Sequence, residues 1–332
     1  MARPGRGKVQ THIHGEEVGG IIRKSTFVPP MKTPNKVRPR PGQQRRPSRG
    51  DGDDRQTRWA FGQNFLVDPE AVSGICEDAG VTGQDWVIEI GPGQGALTRH
   101  LAARARKLTA LEIDPNWVEK LRTKDWGDLE VLQTDATVVD VEALLADHAP
   151  MEPEGSPSPA TPKPLLVGNL PYNRAAPILF HFLPHLGRFT CAQFMVQYEV
   201  AKRICADPGG RDFGSLSVAV QNHAETQLLR KIGPEAFRPR PKVWSATLRL
   251  TARSEPLCPD PTFQPFVELC FSQKRKKLAN VLASRFGRDK VIAALLETGA
   301  GRDARAEEIG VLGFAQLLRI LGPFQAKAGA AR

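Results

Sequence analysis

The chain has 332 residues, room for two domains at about 100–200 residues each, and a formal net charge of +10. No apolar run reaches the roughly 18 residues of a membrane span, and the charged, Gly- and Pro-rich N-terminus lacks a hydrophobic signal core, so a cytoplasmic protein with no membrane partner is expected. Five widely spaced cysteines, at 76, 191, 205, 258 and 270, contain no C-x-x-C pair, which argues against a disulfide framework or zinc cluster and leaves no metal site to expect.

Residues 1–55 have no hydrophobic periodicity and are crowded with Gly, Pro, Arg and Lys, as in "NKVRPRPGQQRRPSRGDGDDR"; they read as a disordered basic tail. Residues 1–58 hold 14 Lys/Arg against 5 Asp/Glu. From 59 onward short apolar runs alternate with helical patterns. "DWVIEIG" (85–91), "LTALEID" (108–114), "LEVLQTD" (129–135), "LLVGN" (165–169) and "AQFMVQ" (192–197) are predicted strands. Helices are predicted over 96–104, 115–121, 141–147, 175–183 and 200–206, with Asp68-Pro69 and Asp114-Pro115 each supplying an N-cap followed by proline at the first helical position. This alternation implies an α/β fold, a parallel sheet covered by helices on both faces, over 56–254. "HAPMEPEGSPSPATPKP" (148–164) is a proline-rich surface insertion. "SLSVAVQ" (215–221) and "WSATLRL" (244–250) are predicted as two further strands, the last an antiparallel edge. From about 255 to 322 the texture is helical, with Leu278, Val281 and Leu282, then Phe314, Leu317, Leu318 and Leu321, at helical spacing; 323–332 is a flexible end.

"VIEIGPGQGALT" sets Gly91, Gly93 and Gly95 between the first strand and a helix, where glycine lets a ligand approach the backbone beside a helix N-terminus. Glu112 ends the next strand 19 residues after Gly93, at the position where an acid accepts hydrogen bonds from ribose hydroxyls. NAD and S-adenosylmethionine both suit that acid. Pyrophosphate binding favours G-x-G-x-x-G, but here the third glycine comes one residue early and Pro92 removes an N–H. Acids at successive strand ends, Glu89, Glu112 and Asp135, fit a cofactor with an adenine and a cationic sulfonium better than one with two phosphates, and Asp135 is an expected adenine contact.

"LLVGNLPYN" ends the fourth strand with Asn169-Leu170-Pro171-Tyr172, on the same sheet edge as the glycine loop. The exocyclic amine of a nucleobase is a poor nucleophile because its lone pair is conjugated with the ring. The Asn169 amide oxygen and the Leu170 carbonyl are placed to accept its N–H groups, Pro171 to stiffen the turn, and Tyr172 to stack on an extruded base.

"FGQNFL" (61–66), "VIEIGPGQGALT" (87–98), "LEID" (111–114), "GNLPYN" (168–173), "AFRPRPKVWSA" (236–246) and "RAEEI" (305–309) stand in the order found in the ribosomal RNA adenine dimethylase family. Over about residues 57–321 the chain resembles that family, and most closely its bacterial members that make two adjacent N6,N6-dimethyladenosines near the 3′ end of 16S rRNA. The resemblance implies a Rossmann-like class I S-adenosylmethionine-dependent methyltransferase sheet with a small C-terminal helical domain. It implies cofactor contacts at Asn64, Leu66, Gly91, Gly93, Glu112, Asp135 and Asn169, amine methylation at Asn169, Leu170, Pro171 and Tyr172, and Phe237 beside Tyr172 in the target-base pocket. After "NLPYN" the family usually continues Ile-Ser, whereas this chain has Arg174-Ala175; Arg174 reads as an exposed loop arginine, with a phosphate contact as the alternative.

Residues 59–237 hold 15 Lys/Arg against 23 Asp/Glu, and 238–290 hold 12 against 4, so an acidic middle is flanked by basic segments. "FSQKRKKLANVLASRFG" (271–287) sets Lys274, Arg275, Lys276 and Lys277 in the expected first turn of a helix, where cations oppose the helix dipole, and "RPRPK" adds Arg238, Arg240 and Lys242. Phosphate contact accounts for both clusters. The expected partner is 16S rRNA in a small ribosomal subunit or its precursor, met by a monomer. Competing readings are a dimethylase of 23S rRNA giving antibiotic resistance, an RNA-binding assembly factor, and a DNA adenine methyltransferase.

Overall fold

The computed structural model describes residues 64–150 and 163–324. The predicted basic tail over 1–55, most of the proline-rich insertion and the C-terminal residues from 325 lie outside the described residues.

A short strand, β1 (Phe65–Leu66), leads into α1 (Pro69–Ala79). Asp68 caps that helix, its Oδ1 accepting from Glu70 N at 2.9 Å and Ala71 N at 3.3 Å. Five strand and helix pairs follow: β2 (Trp86–Ile90) and α2 (Thr98–Ala102), β3 (Lys107–Glu112) and α3 (Pro115–Arg122), β4 (Leu129–Gln133) and α4 (Val141–Asp147), β5 (Leu165–Asn169) and α5 (Ala175–Phe182), β6 (Ala192–Gln197) and α6 (Tyr198–Ile204). Asp114 caps α3 by accepting from Asn116 N at 2.9 Å. All five strands coincide with the predicted runs to within about two residues.

After α7 (Ser215–His223) the chain forms β7 (Ala224–Ile232), pairs β8 (Phe237–Arg238) antiparallel with β1, and returns as β9 (Ser245–Ala252). The main sheet runs β4-β3-β2-β5-β6-β9-β7, with the first five strands parallel and β9 antiparallel to both neighbours. Every residue of β2 is buried, as expected of a central strand covered on both faces. Trp86, Ile88 and Ile90 enter one apolar cluster with Leu166, Phe182 and Phe194, while Val87 enters the opposite one with Ile75, Leu101 and Leu108.

Two expectations for this region fail. Residues 215–221 are helical, and the reason is α7's position: Val220 packs in the cluster beneath the sheet whereas Val218 packs among the C-terminal helices. Residues two apart on a helix point in nearly opposite directions, so a helix wedged between two cores carries the period-two pattern of a strand. β9 is antiparallel as expected but interior, because β7 takes the edge. β7 buries only Ala224 and Ile232 and is otherwise polar, charged or half-exposed, a composition that protects a sheet edge and hides the strand from hydrophobic patterning.

The C-terminal helices α8 (Phe263–Phe271), α9 (Leu278–Phe286), α10 (Arg288–Glu297) and α11 (Val311–Leu321) close round their own cluster of Phe266, Leu278, Leu282, Leu295, Phe314 and Leu317. Phe324, expected in a free tail, is buried there, with ring centroids 5.9 Å from Phe266 and 6.4 Å from Phe286. Lys274, Arg275 and Lys276 lie in the turn before α9 rather than in its first turn, and Lys277 is its N-cap residue. Burial of Leu278 and Ala279 fixes where that helix starts, so the cations flank it in solvent. No helix of the described residues is long and apolar enough to cross a membrane.

Candidate active site

At the carboxyl end of β2 the chain turns through Gly91, Gly93 and Gly95, all at positive φ. A Cβ at Gly93 would lie 3.1 Å from the Phe65 ring and one at Gly95 2.7 Å from the Trp126 ring, so the loop is closed against aromatic side chains and larger residues are excluded. Gly93 N donates to Glu112 Oε2 at 2.9 Å, and Glu112 Oε1 accepts from Ile113 N at 2.9 Å and Asp114 N at 3.0 Å. The acid expected to meet a ribose thus also ties the glycine loop to the end of β3. Burial raises its pKa and these backbone donors oppose the rise. Three N–H groups leave its two oxygens capacity for one more donor.

Glu89, one residue before the end of β2, is 1% exposed, and its Oε2 has no hydrogen-bond partner among the described residues; the same holds for Thr98 Oγ1. Burial pushes the Glu89 pKa up to about 8, opposed by the nearby Thr98 hydroxyl and reinforced by the Glu112 carboxylate. At neutral pH it is a buried protonated acid beside the glycine loop.

Beyond β4, Asp135 Oδ1 accepts from Thr137 N at 2.9 Å and Thr137 Oγ1 at 2.7 Å. Its Oδ2 takes an ion pair from Arg174, which also donates to Thr137 Oγ1 at 3.1 Å. Desolvation raises the Asp135 pKa, but Arg174 and Thr137 outweigh it and hold the carboxyl below the usual range. Arg174 therefore spans from the loop after β5 to the acid after β4, a role that neither sequence alternative anticipated.

Asn169 Nδ2 donates to the Asn64 carbonyl at 3.4 Å, leaving Oδ1 as the side chain's acceptor. Leu170 N donates to Met195 O at 3.0 Å, which fixes the turn to β6, and the half-buried Tyr172 hydroxyl shares a 2.6 Å hydrogen bond with Ser245 Oγ on β9. These groups surround one cleft of about 960 Å³, counted with its open mouth and within the ~300–1,000 Å³ usual for small-molecule sites. Its wall includes Asn64, Leu66, Glu89, Gly91, Gly93, Glu112, Asp135, Asn169, Leu170, Pro171, Tyr172 and Arg174. All ten positions expected to bind cofactor or to methylate lie in this wall, gathered from distant parts of the chain at the carboxyl edge of the sheet. Phe65, Ile113, Ala136 and Ile178 add apolar wall; side chains of this kind have no sequence signature beyond following a motif residue.

Phe237 is placed elsewhere. It is 0% exposed and packs in the cluster below β1 with Leu66 and Val72, and it is not part of the cleft wall. Arg238, Arg240 and Lys242 are exposed on the following segment, where Arg240 lies 3.7 Å from Glu235 and Arg238 donates to the Glu235 and Phe237 carbonyls. Lys277 pairs with Asp303 at 2.9 Å, while Lys274, Arg275 and Lys276 are exposed.

A parallel sheet extended by an antiparallel β9 and β7, with its ligand groups collected at one edge, is the architecture of the class I S-adenosylmethionine-dependent methyltransferases. The residues present suit that cofactor: the cleft wall carries glycine backbone, acids able to accept from hydroxyl and amino groups, and an unpartnered buried carboxyl oxygen at Glu89. Among solved structures, the 23S rRNA methyltransferase ErmE is similar with TM-score 0.59 and 30% identity, over 78% of this chain and 99% of that one. A dimethyladenosine transferase from Plasmodium falciparum shares the fold with TM-score 0.61 and 23% identity, over 77% and 96% of the two chains. The family model for ribosomal RNA adenine dimethylase matches residues 54–321, and the chain belongs to that family. It is 40% identical to the ribosomal RNA small subunit methyltransferase A of Acidobacterium capsulatum, over 79% of this chain and 90% of that protein. It is 39% identical to the enzyme of the same name from Moorella thermoacetica, over 80% and 92%.

Proposed function

We propose that this chain dimethylates N6 of two adjacent adenosines near the 3′ end of 16S rRNA during small-subunit biogenesis, acting as a cytoplasmic monomer. The observation that carries this reading is the meeting of Asn169-Leu170-Pro171-Tyr172 with the glycine loop and Asp135 round one cleft. Identities of 40% and 39% to small-subunit methyltransferases support the choice of subunit.

Bound S-adenosylmethionine supplies an electrophilic methyl group. Gly91, Gly93, Glu112, Asp135, Asn64 and Leu66 would hold it, with Glu112 able to accept from ribose hydroxyls and Asp135 from an adenine amine. Asn169 Oδ1 and the Leu170 carbonyl accept the N–H groups of the target amine, which turns its lone pair toward the methyl donor and stabilises charge developing on nitrogen. Neither acceptor is a strong base, so the proton leaves after transfer. A monomethylated amine still offers one N–H, which a neutral amide can accept. Tyr172, held through Ser245, offers a ring to the extruded base. The C-terminal helices, with Lys274, Arg275 and Lys276 beside α9, and the segment of Arg238, Arg240 and Lys242, hold the RNA backbone.

The test is incubation with labelled S-adenosylmethionine and small subunits lacking these methyl groups, followed by mapping of modified adenines. Label at two adjacent adenines near the 3′ end of 16S rRNA is the expected result; label confined to 23S rRNA or to DNA would overturn the assignment.

A further inference from the structure

Trp244 has no part in the cleft, yet its indole is 46% exposed and stands beside Val243 at 40%. A single exposed apolar residue is ordinary, but these two adjoin and a cation lies 4.3 Å from the indole centroid. Here the neighbouring Ser245 and Ala246 are fully buried in β9 and do the packing, so the core does not require an aromatic at 244. The backbone is nevertheless held on both sides. Trp244 O accepts from Tyr198 N at 2.9 Å, and Ser245 Oγ is bonded to the Tyr172 hydroxyl at 2.6 Å, which sets Trp244 one residue from the group that fixes the target loop. Lys231 Nζ lies 4.3 Å from the Trp244 ring centroid and 4.5 Å from that of Tyr198, so a cation sits between two aromatic rings. The chain enters this patch through the exposed Arg238, Arg240 and Lys242.

We propose that Trp244 is a stacking platform for an unpaired base of the RNA substrate, next to the adenine held at Tyr172. The inference rests on the RNA reading above and adds to it a contact with a base rather than with the backbone. A flat ring in a cationic surround is what single-stranded nucleic acid requires: π-face for the base, positive charge for the phosphate. Charge complementarity favours RNA over an apolar protein partner, which would find only a small apolar area with Lys231 against its ring and Arg238, Arg240 and Lys242 exposed along the segment leading to it.

Trp244→Ala, Trp244→Phe, Trp244→Leu and Lys242→Ala distinguish the contacts. Each is assayed for methyl transfer to unmethylated small subunits and for binding of a short single-stranded oligoribonucleotide. Trp244→Ala is expected to raise the KM for subunits and the Kd for the oligonucleotide about tenfold, with kcat and the KM for S-adenosylmethionine unchanged. Trp244→Phe recovers most of the loss and Trp244→Leu does not. The slope of log Kd against log salt stays as in the parent for Trp244→Ala and becomes shallower for Lys242→Ala. Unaltered KM and Kd in Trp244→Ala overturn the platform, as does equal recovery by Leu and Phe, which signals an apolar protein contact. If the unaltered protein fails to methylate subunits, the functional reading falls, and the oligonucleotide binding alone then decides for or against Trp244 by the same criteria.

Discussion

Glu89 keeps a proton that its unfolded counterpart releases. An ordinary glutamate ionises near 4.5 and this one at about 8, so between those values the folded state binds more protons and stability falls as pH rises. Glu89→Gln should remove that slope: melting curves from pH 5 to 8 are expected to fall for the parent relative to the variant, and parallel curves would refute a buried protonated acid. Asp135 behaves oppositely. Its pKa is lowered in the folded state, so the Arg174 pair contributes stability above the usual carboxylate range and loses it as pH falls through the depressed value. Arg174→Ala should cost about 1 kcal/mol or less at pH 7, given that both side chains are about a third exposed, and progressively less as acid protonates Asp135, as melting curves of the two proteins against pH would show. Asn169→Ala removes the amide acceptor and is expected to lower kcat by roughly 10²–10³-fold, with cofactor affinity reduced far less. Full methyl transfer at saturating cofactor would defeat the mechanism.

Among the elements, α7 bears the most on how much of the fold could be read beforehand. β2, β5 and β6 were legible because a covered parallel strand is mostly apolar, and β2 to β5 also because each is punctuated by Gly, Asp or Asn at or just past its carboxyl end. The same punctuation exposed most of the cleft, since Gly91, Glu112, Asp135 and Asn169 are strand-end residues. Where one segment answers to two environments the pattern misleads: Val218 and Val220 face different cores, and a helix acquires the alternation of a strand. β7 left no apolar signal because a sheet edge is stabilised by pairing rather than burial. Glu89 and the Arg174 pair were beyond reach for another reason, since burial of one side chain and the approach of residues 39 apart are properties of the folded chain alone. Val218→Ala and Val220→Ala should each cost about 2 kcal/mol by lost burial and cavity formation. Amide exchange should separate them, with Val218→Ala loosening α8 to α11 and Val220→Ala loosening β6 and β9; identical exchange maps would mean that α7 does not divide its packing in this way.

For the whole molecule, basic charge lies outside the acidic methyltransferase core. Removing residues 1–55, which precede the described structure, is expected to weaken RNA binding and flatten its salt dependence while leaving cofactor binding intact. Neutralising Lys274, Arg275 and Lys276 together should reduce the salt slope by about 0.7–0.9 for each phosphate released, and an unchanged slope would remove them from the RNA track. The helix wedged between two cores then has a metric meaning. α7 is pinned by Val220 on one side and Val218 on the other, so the spacing from the cleft to the cationic turn before α9 is set by packed side chains. Were RNA backbone held at that turn, as proposed, the adenines would be selected by an offset along the strand, as a caliper does, and a change in the packing of α7 would alter which nucleotide is presented before it altered the chemistry.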